Sequence, residues 1–185
     1  MEHHVCPWYI GYLLANPLRK LYQDPGKLLR PYVKTGMTVL EVGPGMGFFS
    51  IPMARLVGEK GKIYSVDLQE RMLQTLRKRA AKKNVQHTIE ARRCSESSLE
   101  VKDLSGSIDF ALAFAVVHEI PDTQNLFKEI CNALRQGGIL LVSEPRDHVS
   151  REAFEKYRSI AEQAGFAVSE TPAIRGSLSV VLKKV

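Results

Sequence analysis

Residues 38–50 read TVLEVGPGMGFFS. A run of β-formers leads into glycines at alternate positions, Gly43, Gly45 and Gly47, and a helix-like stretch follows. Few backbones accept this pattern. A strand must turn sharply into a helix, and glycine lets the chain turn without a Cβ in the way. The same loop lets a ligand approach the backbone at the helix N-terminus, on the carboxyl edge of a sheet. A dinucleotide fingerprint, G-x-G-x-x-G, would want its third glycine at position 48, where Phe48 stands. That spacing argues against a nicotinamide oxidoreductase.

From residue 36 onward the pattern alternates strand and helix. MTVLEV (37–42) and KIYSVDL (62–68) predict strands, and QHTIEARR predicts a third. The stretch from Gly47 to Gly58 predicts a helix with Pro52 in its first turn. Met72, Leu73, Leu76 and Ala80 form a helical stripe within a basic stretch. SIDFALAFAVV (107–117) and GILLVSE suit strands buried on both faces. Asp122 is placed to cap a helix ending at Gly137, and Ser150 one ending at Gly165. FAVSETPAI and LSVVLKKV close the chain as a hairpin about Arg175-Gly176. The expected fold is α/β: a Rossmann-like, doubly wound, mostly parallel sheet of about seven strands with one antiparallel, and helices on both faces. The expected organisation is a single domain over 1–185, with 36–185 as the α/β core and 1–35 as a helical, lid-like extension broken at Pro17 and Pro25.

Two carboxylates narrow the ligand. Glu41 precedes the glycines by two residues, and a carboxylate there repels a pyrophosphate and attracts an ammonium or sulfonium group. Asp67 ends the second strand, where a carboxylate can accept from both ribose hydroxyls. A nucleoside with a positively charged tail, such as S-adenosylmethionine, meets both demands. The plainer readings are a salt bridge for Glu41 and a helix cap for Asp67.

VLEVGPGMGFFS, YSVDL, IDFALAFAVVHEIPD and LRQGGILLVSEP resemble the successive motifs of class I S-adenosylmethionine-dependent methyltransferases, over residues 36–185. The likeness is strongest to the branch that methylates small metabolites, quinone precursors among them. The resemblance implies Glu41, Gly43, Gly45 and Gly47 around the methionine part, Asp67 on the ribose and Leu68 against the adenine. It places Cys94, Ser95 and Glu96 where the family contacts the adenine amino group, although many relatives carry Asp or Asn there. Ala115 and His118 fall beside the methyl group. The chain has AFAVVHE where amine methylases of the N/D-P-P-Y/F type carry their signature.

His118 and Glu119 are the candidate catalytic residues, with His118 as substrate contact or base. Trp8, Tyr9, Tyr12 and Glu144 are candidate substrate contacts, and Asp147 and His148 are weaker ones. Met46 and Phe48 read as packing residues. The implied activity is methyl transfer to a small, partly apolar acceptor; the alternatives are an RNA or protein methyltransferase, or a cofactor-binding module without catalysis. The net charge of +6 admits nucleic acid, but basic residues at 71–83 read more simply as a solvated helix face. Arg19 and Lys20 beside aromatics admit a membrane-surface contact for the N-terminal segment. No membrane-spanning run or leader pattern is visible, so a cytoplasmic protein is expected. Cys6, Cys94 and Cys131 form no disulfide or zinc pattern. No metal site is expected, and a metalloid acceptor held by Cys6 and Cys94 is the minor reading.

Overall fold

The computed structural model describes residues 24–185. The expected aromatic lid, with Trp8, Tyr9, Tyr12, Arg19 and Lys20, lies outside the described residues. So does Cys6. The described residues fall into two compact units, 24–94 and 95–185.

The first unit opens with α1 (Pro25–Leu29). Pro25 starts this helix, where the sequence reading has it break one. Proline lacks an N–H that the first turn cannot use, and Asp24 accepts from the N–H groups of Gly26 and Lys27 at 2.9 and 3.3 Å. There follow β1 (Thr38–Val42), α2 (Ser50–Val57), β2 (Lys62–Asp67), α3 (Glu70–Lys82) and β3 (Ile89–Arg93). The three strands are parallel, with Val39 opposite Ile63 and Ile63 opposite Ile89. Met72, Leu73, Leu76 and Ala80 are buried along α3, as the stripe predicts. Apart from Arg79, its basic residues form an exposed face, with Arg77 paired to Glu70 at 2.7 Å.

The second unit holds β4 (Ile108–Phe114), α4 (Thr123–Ala133), β5 (Leu134–Pro145), α5 (Arg151–Gln163), β6 (Phe166–Glu170) and β7 (Ser177–Lys184). Asp122 and Ser150 cap α4 and α5 through the N–H groups of Asn125 and Ala153. β4 and β5 are parallel, while β7 runs antiparallel to both β5 and β6. The strand order is β3-β2-β1-β4-β5-β7-β6, the mostly parallel seven-stranded sheet expected, with β7 the reversed strand.

Two boundaries depart from the sequence reading. α4 stops at Ala133, not near Gly137, and β5 begins at once at Leu134. Long-range partners hold this extra length. Leu134 pairs with Ile108, the Leu134 carbonyl accepts from Lys184 Nζ at 2.8 Å, and Arg135 meets Asp109 at 2.7 Å. β6 ends at Glu170, short of the expected Ile174. Pro172 has no N–H to offer a ladder.

Gly61 precedes β2 on a crowded turn, where an added Cβ would lie 2.4 Å from Val57 Cβ and 2.7 Å from the Met37 carbonyl. Backbone cannot yield there as a flexible side chain would. Gly61→Ala is expected to lower stability by about 1–3 kcal/mol in urea unfolding.

Candidate active-site residues

Gly43, Gly45 and Gly47 all adopt positive φ, at 67, 52 and 85°. Their surroundings differ. The Gly43 N–H donates to the Val66 carbonyl at 3.0 Å, tying the loop to β2. A Cβ on Gly47 would lie 2.5 Å from Leu76 Cδ1, so this glycine lets α3 pack under the loop. A Cβ on Gly45 would meet nothing within 4 Å among the described residues. Gly45 is therefore open on its Cβ side. Met46 and Phe48 are buried, in line with packing roles. Arg79 Nη1 donates to the Met46 carbonyl at 2.7 Å and fixes the loop from α3.

Glu41 lies at the end of β1 and is only 2% exposed. Its Oε2 accepts from Ser50 Oγ at 2.5 Å and Ser65 Oγ at 2.8 Å. Ser65 is its Cα partner across the β1–β2 ladder, and Ser50 opens α2. Burial pushes the Glu41 carboxyl from 4.5 up to about 7, with a further push from Asp67 and against the pull of both serine hydrogen bonds. The salt-bridge reading does not apply: among the described residues Glu41 is met by hydroxyls and not by a lysine. Ser50, Ser65 and Arg79 were not anticipated. The available signal is a serine directly across from Glu41 in the parallel register and another at the start of the next helix.

Asp67 ends β2. Its Oδ1 accepts from the Gln69 N–H at 2.8 Å, and its carbonyl accepts from the Cys94 N–H at 3.1 Å. The N-cap of α3 is Gln69 and not Asp67. Leu68 and Cys94 are half-buried, and Ser95 and Glu96 are exposed. Ser95 Oγ donates to Glu100 at 3.3 Å. Asp67 lies opposite Arg93 in the β2–β3 register, so Asp67, Leu68 and Cys94 share one strand edge.

In the second unit, Ala115 follows β4 with φ 54°, and its N–H donates to the Ser143 carbonyl at 2.7 Å. A single turn, Val117–Glu119, comes next. Glu144, expected as a substrate contact, is 0% exposed and faces this turn from β5. Its Oε1 accepts from the N–H groups of Val116 and Val117 at 3.0 and 2.9 Å, and its Oε2 pairs with His118 Nδ1. His118 and Glu119 are each 19% exposed, with Nε2 4.0 Å from Glu119 Oε1. The His148 ring meets the His118 ring edge-on at 5.4 Å between centroids. Burial alone would lower the His118 pKa, but the Glu144 bond and charge, with Glu119 and Asp147, leave it raised.

A family model described as a methyltransferase domain matches residues 33–174. A demethylmenaquinone methyltransferase of Lactobacillus johnsonii is 28% identical, covering 68% of this chain and 52% of that protein. An arsenite methyltransferase of Halobacterium salinarum is 31% identical, covering 59% of this chain and 27% of that protein. The chain thus spans about a quarter to about half of these curated relatives. A crystal structure of a SAM-dependent methyltransferase from Aquifex aeolicus superposes with TM-score 0.87 at 25% identity, covering 98% of this chain and 100% of that one. This chain belongs to the class I S-adenosylmethionine-dependent methyltransferases. The cofactor of that class is S-adenosylmethionine.

The residues of the first unit fit that cofactor. The loop is open at Gly45, a carboxyl lies beneath it, and a second carboxylate ends β2. Among the described residues no group of His, Cys, Asp and Glu is arranged to hold a metal ion, and no helix is long and apolar enough to cross a membrane.

The raised Glu41 pKa sets a pH dependence. Its folded value lies above its unfolded value, so the stability it contributes is complete below 4.5 and is lost as pH rises to about 7. The loss is at most about 3 kcal/mol. Glu41→Gln retains an oxygen to accept from both serines and has no proton to lose. Urea unfolding of the ligand-free protein at about pH 5 and about pH 8 is expected to show a fall for the parent that the variant lacks.

Proposed function

We propose that this chain transfers the methyl group of S-adenosylmethionine to a small, partly apolar acceptor. The observation that carries the reading is the loop open at Gly45, built on the buried carboxyl of Glu41. Gly43, Gly45 and Gly47 take the methionine part, Asp67 the ribose, and Leu68 with Cys94 and Ser95 the adenine. Ala115 borders the cofactor's methyl group, and His118 and Glu119 serve the acceptor. Transfer from a sulfonium needs chiefly alignment and exclusion of water, which together can lower a barrier by several kcal/mol.

The relatives' names suggest two acceptors, a quinone precursor and arsenite. The thiols of the described residues favour the first. Arsenic(III), a soft centre, asks for clustered thiolates. Cys94 is half-buried and Cys131 is buried, with burial pushing the Cys131 thiol up. An aromatic hydroxyl compound is the better supported class.

Calorimetry is expected to show binding of S-adenosylmethionine and of its demethylated product, and none of NADH. Asp67→Ala is expected to weaken that binding about tenfold to a hundredfold, the worth of hydrogen bonds to a charged group. Binding of NADH in preference to both adenosyl ligands would reject the proposal.

A further inference from the structure

Glu144 is fully buried, and its hydrogen bonds among the described residues all go to one turn. Val116 and Val117 N–H groups hold Oε1 and so fix the carboxylate plane. Oε2 is left for His118 Nδ1. A carboxylate only accepts, so Nδ1 carries the proton and the neutral ring keeps its lone pair on Nε2. β4 and β5 are parallel, and this turn and Glu144 lie at their carboxyl ends, the edge at which open α/β sheets bind ligands.

We infer that Glu144 is a positioning residue that presents His118 Nε2 as a base, and that the acceptor is a phenol, enol or thiol still holding its proton at neutral pH. This rests on the methyltransferase reading. The acceptor's proton passes to His118 Nε2, and its oxygen or sulfur forms the new bond to the methyl carbon. The bond from that carbon to the sulfonium breaks, and its electron pair stays on sulfur to give the thioether. The imidazolium so formed is neutralised by Glu144. An acceptor with no proton to lose would have no use for the pair.

The carboxylates around His118 act in one direction. Glu119 lies on its own turn, Glu144 on β5, and Asp147 with His148 on the loop after β5. Tyr157 of α5 has its pKa raised by burial and by the Glu144 charge, and a neutral phenol adds no competing anion. The three carboxylates raise the His118 pKa above the ordinary histidine value. The rate is therefore expected to rise with pH through a pKa above that value.

Glu144→Gln separates a catalytic role from a merely structural one. Its amide oxygen still accepts from both backbone N–H groups, while its NH2 donates to His118 Nδ1 and drives the proton to Nε2. Nitrogen-15 spectra of the free protein read this directly: an Nδ1–H ring is expected in the parent and an Nε2–H ring in the variant. Activity is read with a naphthol and an aromatic thiol, against N,N-dimethylaniline, which has no proton to give. Transfer to a proton-bearing probe is expected, falling about a hundredfold or more in Glu144→Gln and His118→Asn, with cofactor binding by calorimetry unchanged. An Nε2–H ring in the parent, undiminished transfer in either variant, or methylation of none but the aniline would overturn the inference. Turnover of no probe would overturn the acceptor class. Loss of cofactor binding in the parent would reject the methyltransferase reading itself, whatever the ring tautomer.

Discussion

A carboxyl with almost no access to water joins three segments of the first unit. Glu41 on β1 is bonded by Ser65 of β2 and by Ser50 at the start of α2. All three side chains are buried. Removing a partner from such a site leaves an unsatisfied polar group, at a cost of about 1–3 kcal/mol. The glycine loop spans the same interval, from the end of β1 to the start of α2, so its shape depends on this knot. Arg79 and Leu76 complete the support from α3. Gly45 can stand open because the residues around it are so constrained.

The second unit uses a buried acid differently. Glu41 is met by hydroxyls, which can serve a neutral or an ionised carboxyl, and burial raises its pKa to about 7. Glu144 is met by two backbone N–H groups and an imidazole. One acid shapes a loop, and the other orients a ring. Both lie at the ends of central strands, where a buried carboxyl is tolerable only with its donors built in.

The order of strands and helices was legible in the sequence because buried apolar runs and the α3 stripe are local patterns. The caps at Asp122 and Ser150 were legible for the same reason. The early start of β5 was not: it rests on Ile108, Asp109 and Lys184, which are far away in sequence. At the candidate site, the glycines and both strand-end carboxylates could be named from spacing. The division of labour among the glycines could not, since it depends on Leu76 beneath Gly47 and on space beside Gly45. Glu144 read as a substrate contact because its position ends a strand; only the partners of its oxygens show that it faces inward.

Fold and cofactor do not fix the acceptor, so the account stands first on its cofactor loop. Amide spectra of nitrogen-15-labelled protein, titrated with the demethylated cofactor product, test it most directly. The account expects saturable shifts at the Gly45 amide and at the amides around Asp67. No movement in that loop, with NADH shifting the same amides instead, would contradict it.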